Sequence, residues 1–263
     1  MLPQPAISLS HISKIYANGT VALQDMNLTI QKSQFVSLVG PSGCGKSTVL
    51  RIIAGLGQKS EGSLHWGESL DPEAQGQLAY VFQEPALMPW ANVMENVRLP
   101  LKLMRIPKRD STSRVRQALQ LVQLEGVEAA FPRELSGGMR MRVSIARALV
   151  TGPSLLLMDE PFGSLDEITR SKLNSELLEL WSQKRWTVIF VTHNIYEAVY
   201  LSNRVVVMAA RPGRVVADVG IHAPYPRTEA FRTSPLYNEY CRDVATHLAE
   251  AMAGSPPLPT GVK

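Results

Sequence analysis

The sequence predicts an α/β fold with a parallel-sheet core, an N-terminal antiparallel β subdomain and an inserted helical subdomain. Two observations carry this prediction. The runs "FVSLVG", "SLLLMDE" and "WTVIFVTH" are short and almost wholly apolar, as strands buried on both faces of a parallel sheet are. Segments with helical periodicity lie between such runs. With 263 residues, 45% of them hydrophobic, the chain is long enough to bury a core of this kind.

The first sixty residues favour strands. "AISLSHISKIY" and "VALQDMNLTI" are β-like runs separated by the turn signal "ANGT", and they begin the predicted antiparallel subdomain. The third run, "FVSLVG", leads directly into a glycine-rich loop, after which "KSTVLRIIAGL" has apolar residues at helical spacing. "GSLHWG" and "QLAYVFQ" then predict two more strands.

Helical patterns dominate from about residue 84 to residue 150, where several prolines punctuate them. Asn92 is followed by Glu95 three positions later, which resembles a capping box and predicts the start of a helix. A further helix with one apolar face is predicted by the i, i+3, i+4, i+7 spacing of Val115, Ala118, Leu119 and Val122.

Strand signals return after residue 150, and "RVVVMAARPGRVVADV" predicts a hairpin around Pro212 and Gly213. The predicted organisation is a core with its antiparallel β subdomain at 1–83 and 151–225, a helical subdomain at 84–150 and a tail at 226–263. One or two helices are expected in the tail, and its proline-rich end "SPPLPTGVK" is predicted to be disordered.

The distribution of apolar, cysteine and charged residues indicates which classes of protein the chain does not belong to. No run approaches the roughly 18 apolar residues that span a bilayer, and the N-terminus lacks a signal-peptide pattern, so we expect a cytosolic protein. Cys44 and Cys241 are too far apart for a C-x-x-C motif and are expected to be reduced. The formal net charge is +4, but the basic residues are dispersed, so no nucleic-acid partner is expected.

The strongest motif is the loop "GPSGCGKST", which matches the phosphate-loop pattern G-x-x-x-x-G-K-[ST] in full. It follows a predicted strand and precedes a predicted helix, as the motif requires, whereas the alternative is a glycine-rich turn with a surface lysine. Lys46 is expected to reach the β and γ oxygens, and the Ser47 hydroxyl to bind Mg²⁺. The predicted nucleotide-binding residues here are Gly40, Pro41, Ser42, Gly43, Cys44, Gly45, Lys46, Ser47 and Thr48.

Two adjacent carboxylates end the apolar run "LLLM". Asp159 is placed to hold Mg²⁺ through water, and Glu160 to orient or deprotonate an attacking water. A single carboxylate after a strand is often only a helix cap, but the pair, in a chain with a phosphate loop, favours catalysis. These two motifs therefore predict that the core binds a nucleoside triphosphate together with Mg²⁺.

A second potential anion site lies in "ELSGGMRMRVSIARALV", within the predicted helical subdomain. Ser136 is placed to cap a helix, while Gly137 and Gly138 allow the backbone to approach a ligand closely. The positive end of the helix dipole would then face an anion.

Together these motifs resemble those of the ATP-binding cassette (ABC) ATPases over about residues 7–220. The resemblance implies ATP and Mg²⁺ as cofactors. It also implies an ATP-binding P-loop NTPase (RecA-like) core of the ABC ATPase fold, with Lys46, Glu160 and His193 as catalytic residues. It implies that Tyr16 stacks on adenine, and that Gln83 senses Mg²⁺ and the γ-phosphate. Without the resemblance, Tyr16 is equally consistent with an ordinary residue beside a turn, and Gln83 would be interpreted as a solvated glutamine.

The resemblance also assigns residues outside the phosphate loop. It places Asp166 on a loop at a dimer interface, and it gives His193 a γ-phosphate contact. The resemblance assigns the family signature to Ser136, Gly137 and Gly138. In this family the signature completes the ATP site of a second subunit that packs head to tail. The chain departs from the family pattern at Met141, where Gln is frequent, and at Asn194, where Asp is frequent.

The stretches "LMPW", "FGSLDEITR" and "ARPGR" are similar to those of the nitrate, sulfonate and taurine importers. This likeness implies a second copy of the chain, membrane permease subunits and, indirectly, a periplasmic solute-binding protein as partners, and a peripheral place on the cytoplasmic face of the inner membrane. The alternatives are an importer of bicarbonate, cyanate or a thiamine or pyrimidine precursor, and a non-transport ABC ATPase. Met88 and Trp90 either contact the permease or pack inside the helical subdomain.

Overall fold

A computed structural model describes residues 5–67 and 77–253. Its strands are β1 (Pro5–Ile15), β2 (Val21–Gln31), β3 (Phe35–Val39), β4 (Glu61–Trp66), β5 (Leu78–Val81), β6 (Leu155–Asp159), β7 (Thr187–Val191), β8 (Arg204–Ala209) and β9 (Arg214–Gly220). Its helices are α1 (Lys46–Ile53), α2 (Val93–Leu103), α3 (Lys108–Leu121), α4 (Gly137–Leu149), α5 (Glu167–Lys184), α6 (Ile195–Leu201), α7 (Glu229–Arg232) and α8 (Pro235–Ala253), with a short 3-10 helix at Pro132–Glu134.

The core is a six-stranded sheet in the order β5-β6-β7-β3-β8-β9. The first five strands are parallel, and β9 pairs antiparallel with β8, as the predicted hairpin requires. Every residue of β3, β6 and β7 is buried, which explains why their sequences are continuously apolar. The predicted α/β fold with a parallel core is confirmed.

A second, antiparallel sheet has the order β2-β1-β4 and lies beside the turn between β8 and β9. The Gln24 N–H donates to Gly213 O at 3.0 Å, and the Gly213 N–H donates to Ala22 O at 3.1 Å. A Cβ atom at Gly213 would lie 2.2 Å from Cys44 O and 2.6 Å from Ala22 O. Only glycine fits at this position, where the turn touches both the antiparallel sheet and the glycine-rich loop.

The stretch between β5 and β6 forms the helices α2, α3 and α4, which pack on one another. The predicted apolar face of α3 is buried, and the Asn92 side chain caps α2 by accepting from the Glu95 N–H at 2.9 Å. The Glu95 carboxylate contacts the Arg98 guanidinium at 2.5 Å. The division into domains at residues 84 and 150 stays a prediction.

The C-terminal segment folds back on the core through α8, which packs against β8 and α6. Before it, the two NH2 groups of the buried Arg227 guanidinium lie within hydrogen-bond distance of five backbone carbonyls, while its Nε–H has no partner in the described part of the chain. These carbonyls belong to Val199, Tyr200, Ser202, Ile221 and Ala223, at 2.8–3.3 Å. The predicted disorder of "SPPLPTGVK" lies outside the described residues.

Cys44 and Cys241 are both buried and free, in agreement with the expectation of reduced thiols. Within residues 5–67 and 77–253, no helix combines the length and the apolar character needed to cross a membrane.

Candidate nucleotide site

A cavity of about 530 Å³ opens at the carboxyl edge of the parallel sheet, where ligands of such sheets bind. The antiparallel sheet, the glycine-rich loop, the end of β6 and the β8–β9 turn all contribute to its wall. The lining residues are Tyr16, Thr20, Val21, Ala22, Ser42, Gly43, Gly45, Lys46, Ser47, Thr48, Gln83, Glu160 and Arg211. The fold therefore brings the predicted phosphate loop together with Tyr16, Gln83 and Glu160.

The glycine-rich loop holds its lysine in a fixed place. Lys46 is only 6% exposed, and its Nζ donates to Gly40 O at 2.9 Å and to Pro41 O at 3.2 Å. Lys46 is also the first residue of α1, so the unpaired N–H groups of that helix face the same cavity. A lysine charge and a helix N-terminus together favour a phosphate ligand.

Both oxygens of the Asp159 carboxylate accept hydrogen bonds beside this loop. Ser47 Oγ donates to Oδ1 at 2.8 Å, and the Tyr80 hydroxyl donates to Oδ2 at 2.9 Å. Burial and the neighbouring carboxylate raise the pKa of Tyr80, so its hydroxyl stays protonated and remains a donor. No sequence pattern reveals this role of Tyr80, because the contact depends on β5 lying next to β6.

The oxygen atoms gathered here suit Mg²⁺, which prefers oxygen ligands. The Ser47 hydroxyl and the Asp159 carboxylate are in contact, and Gln83 lines the same cavity. Among the described residues, no group of three or more His, Cys, Asp and Glu side chains could hold a metal alone. A magnesium ion would therefore share its coordination with phosphate oxygens and water, as it does in phosphoryl-transfer sites.

Glu160 and His193 meet at the ends of two neighbouring strands. His193 Nδ1 lies 3.1 Å from Glu160 Oε2, and the Glu160 N–H donates to Val191 O at 2.9 Å. Glu160 has φ of +45°, which is uncommon for a residue with a side chain and is typical of strained functional positions. A Cβ at Gly163 would lie 3.7 Å from Glu160 Oε2 and 3.8 Å from Gln83 Nε2, so these two side chains share one small region.

The signature residues lie elsewhere: within the described part of the chain, Ser136, Gly137 and Gly138 do not line the cavity. Ser136 caps α4 by accepting from the Met139 N–H at 3.2 Å. Asp166 caps α5 in the same way, accepting from the Thr169 N–H at 2.9 Å, and this hydrogen bonding lowers the pKa of its carboxyl. The beginnings of α4 and α5 pack on each other, since a Cβ at Gly138 would lie 2.8 Å from Thr169 Cγ2.

Because of this contact, Gly138 has a packing role that the sequence did not show. This packing role can be tested separately from any contact between Gly138 and a ligand. Gly138→Ala is expected to lower the free energy of unfolding by about 1–3 kcal/mol, because the added methyl overlaps a stiff β-branched side chain. Chemical denaturation measures this change. In the double variant with Thr169→Ser, which lacks Cγ2, most of the lost stability is expected to return. If stability returns but ATP turnover does not, Gly138 also serves the nucleotide. Unchanged stability in the single variant would refute the packing role.

The two departures from the family pattern have local explanations. Met141 is 1% exposed and fills the core where the family often has a polar residue. The Asn194 side chain caps α6 by accepting from the Glu197 N–H at 3.2 Å, which Asp would do equally well.

Comparisons with known proteins agree with this geometry. The ABC transporter family matches residues 23–163. An aliphatic sulfonates import ATP-binding protein of Bacillus cereus is 45% identical over 227 residues, covering 85% of this chain and 89% of that protein. An uncharacterized ABC transporter ATP-binding protein of Methanocaldococcus jannaschii is 44% identical over 250 residues, covering 94% of this chain and 92% of that protein.

Among solved structures, a dimeric bacterial ABC transporter cassette aligns with a TM-score of 0.72 and 33% identity, covering 83% of this chain and all of that one. The dimer of an ATP-binding cassette in a post-hydrolysis state, bound to ADP and Pi, aligns with a TM-score of 0.71 and 32% identity. This alignment covers 83% of this chain and 100% of that one. The fold, the cavity and these relatives agree: the chain belongs to the ABC transporter family and is an ATPase of that family.

Proposed function

We propose that this chain is the ATP-hydrolysing subunit of an importer for a sulfonate or a similar small anion such as taurine or nitrate. The observation that carries the proposal is the cavity around which Lys46, the Ser47–Asp159 pair and Glu160 converge. The importer assignment draws on the sulfonate-import relatives, several of which are 45% identical to this chain.

In the proposed reaction, Glu160 accepts a proton from a water molecule as the water oxygen attacks the γ-phosphorus of ATP. A new P–O bond forms, the bond to the β-phosphate oxygen breaks, and ADP and phosphate leave. Lys46 and the N-terminus of α1 stabilise the negative charge on the β and γ oxygens. His193 donates from Nδ1 to the Glu160 carboxylate, and when Nε2 is protonated as well, that nitrogen can donate to the γ-phosphate.

Mg²⁺ bound with ATP would neutralise phosphate charge, and Ser47, Gln83 and, through water, Asp159 would hold it.

A second copy of the chain is proposed to complete the site. The starts of α4 and α5 pack together, which presents Ser136, Gly137 and Gly138 beside Asp166 for contact with a partner's nucleotide. The dimeric relative structures support this arrangement. ATP would then close the dimer, and hydrolysis would release it. Turnover per molecule should therefore rise with protein concentration until dimers saturate.

The remaining proposed partners are membrane permease subunits, which would place this chain at the cytoplasmic face of the inner membrane, and indirectly a periplasmic solute-binding protein. Trp90 is 77% exposed, so it suits a contact with the permease. Met88 is half-buried, and its N–H and carbonyl are both bound by the Asn96 side chain. We assign the permease contact to Trp90 and a packing role to Met88.

A deletion strain tests the solute. Growth should fail on an alkanesulfonate as sole sulfur source and recover with the wild-type gene but not with Glu160→Gln. Parallel cultures on taurine and nitrate, and uptake of labelled bicarbonate, cyanate and thiamine precursors, distinguish the alternatives. A strain that grows and takes up all of these solutes normally would exclude this importer branch.

Tyr16 offers a separate test of how the base is bound. It is 41% exposed at the cavity mouth, and its hydroxyl lies 3.2 Å from Thr48 Oγ1. Tyr16→Ala is expected to weaken ATP binding by about 5- to 150-fold, because base–aromatic stacking contributes about 1–3 kcal/mol. Tyr16→Phe keeps the ring and should bind within about threefold of wild type in the same fluorescence titration. Equal losses in both variants would assign the effect to the hydroxyl instead.

A further inference from the structure

Arg211 and Lys46 are the two cationic side chains among the described residues that line the nucleotide cavity. Arg211 belongs to the "ARPGR" turn between β8 and β9, far from the phosphate loop in the sequence. The family resemblance gives this turn no role toward the nucleotide. The turn also carries Arg214, which is exposed and does not line the cavity in the described part of the chain.

The turn is held against the cavity wall by contacts on two sides. Gly213 exchanges hydrogen bonds with the backbone at Ala22 and Gln24, and it approaches Cys44 O so closely that no side chain would fit. Ala22 itself lines the cavity, and Cys44 belongs to the phosphate loop. Arg211 lies two residues before Gly213, so these contacts hold the turn that carries Arg211 next to the cavity.

The backbone at Arg211 supports the same conclusion. Its φ is +56°, a conformation that is uncommon for residues with a side chain and that persists only where the surroundings impose it. Arg211 lines the same cavity as Ser42 and Gly43 of the glycine-rich loop.

The chemistry of this wall points to an anionic ligand group. A guanidinium has five N–H donors and no acceptor, and it matches the oxygens of a phosphate in a two-pronged contact. We propose that Arg211 is a second cationic contact for the phosphates of the bound nucleotide, in addition to Lys46. This inference rests on the proposed nucleotide site.

If Arg211 contacts phosphate, its loss should weaken the binding of ligands that carry phosphates and spare a ligand without them. A purely structural role would not produce this difference. Binding of ATP, ADP and adenosine to the full chain is measured by calorimetry for wild type, Arg211→Ala, Arg211→Lys and the matched control Arg214→Ala. Arg211→Ala is expected to weaken ATP and ADP by about tenfold or more, as loss of a charged hydrogen bond does, and to leave adenosine unchanged. Arg211→Lys should recover part of the loss, and Arg214→Ala should bind like wild type.

Several outcomes would overturn the inference. Equal losses for ATP and adenosine would mean that Arg211 contacts the base, and unchanged binding of ATP by Arg211→Ala would mean that it contacts neither. A loss in Arg214→Ala as large as in Arg211→Ala would indicate a general effect of charge or of the turn. If Arg211→Ala does not fold, Arg211→Lys and Arg211→Gln carry the comparison. Failure of the wild-type chain to bind ATP would instead refute the proposed nucleotide site.

Discussion

Glu160→Gln is expected to lower ATP turnover by about 100- to 10,000-fold, the range that general-base catalysis contributes. Glutamine keeps the size of the side chain and can still bond to His193, but it cannot accept a proton from water. The Glu160–His193 contact of 3.1 Å and the hydrogen bond from the Glu160 N–H to Val191 O should keep the neighbourhood intact. A phosphate-release assay measures turnover, and a nucleotide titration should show ATP affinity within about threefold of wild type.

The same variant tests the assembly. If ATP closes the dimer and hydrolysis opens it, Glu160→Gln with ATP should elute from a sizing column as a dimer, and wild type with ADP as a monomer. Glu167→Gln, an exposed carboxylate at the start of α5, is the matched control and should hydrolyse ATP normally. Turnover above about a tenth of wild type in Glu160→Gln would assign the base to another group. Absence of a dimer would refute the shared site.

Lys46→Ala is expected to weaken ATP binding by at least about 100-fold, since it removes charge-assisted hydrogen bonds worth about 1.5–3 kcal/mol each. It also leaves the carbonyls of Gly40 and Pro41 without the donor that now binds them. Lys46→Arg should recover little, because the guanidinium is larger and planar and the site is built around a compact ammonium group.

Calorimetric titration with ATP measures this loss, and far-ultraviolet circular dichroism checks that each variant is folded. Lys102→Ala, at the exposed end of α2, removes the same charge away from the cavity and should bind ATP normally. If Lys46→Ala binds ATP as tightly as wild type while folded, the glycine-rich loop is not the phosphate site.

Local patterns predicted those parts of the fold that depend on neighbouring residues. The apolar runs of β3, β6 and β7 and the cap at Asn92 are properties of short segments, and the structure confirms them. The glycine-rich loop could be recognised for the same reason, because the phosphate contacts proposed for it depend on consecutive backbone groups.

Contacts between distant segments were not predictable. Tyr80 reaches Asp159 only because β5 is the neighbour of β6, and the sequence does not state strand order. Arg211 reaches the cavity through the contacts of Gly213 with Ala22 and Cys44, which join three separate parts of the chain. The residue types in these pairs are ordinary, so no spacing distinguishes them.

The five carbonyls bound by Arg227 connect the C-terminal segment to α6, the helix that follows His193. Three of them belong to the end of α6 and the residue after it, and α6 begins two residues after His193. The other two lie just beyond β9. The segment that contains Arg227 therefore holds α6, which begins two residues after His193, in place. Removal of the chain from Arg227 onward is expected to hold α6 and His193 less firmly. It should therefore slow ATP hydrolysis, although it removes none of the residues that are proposed to contact ATP.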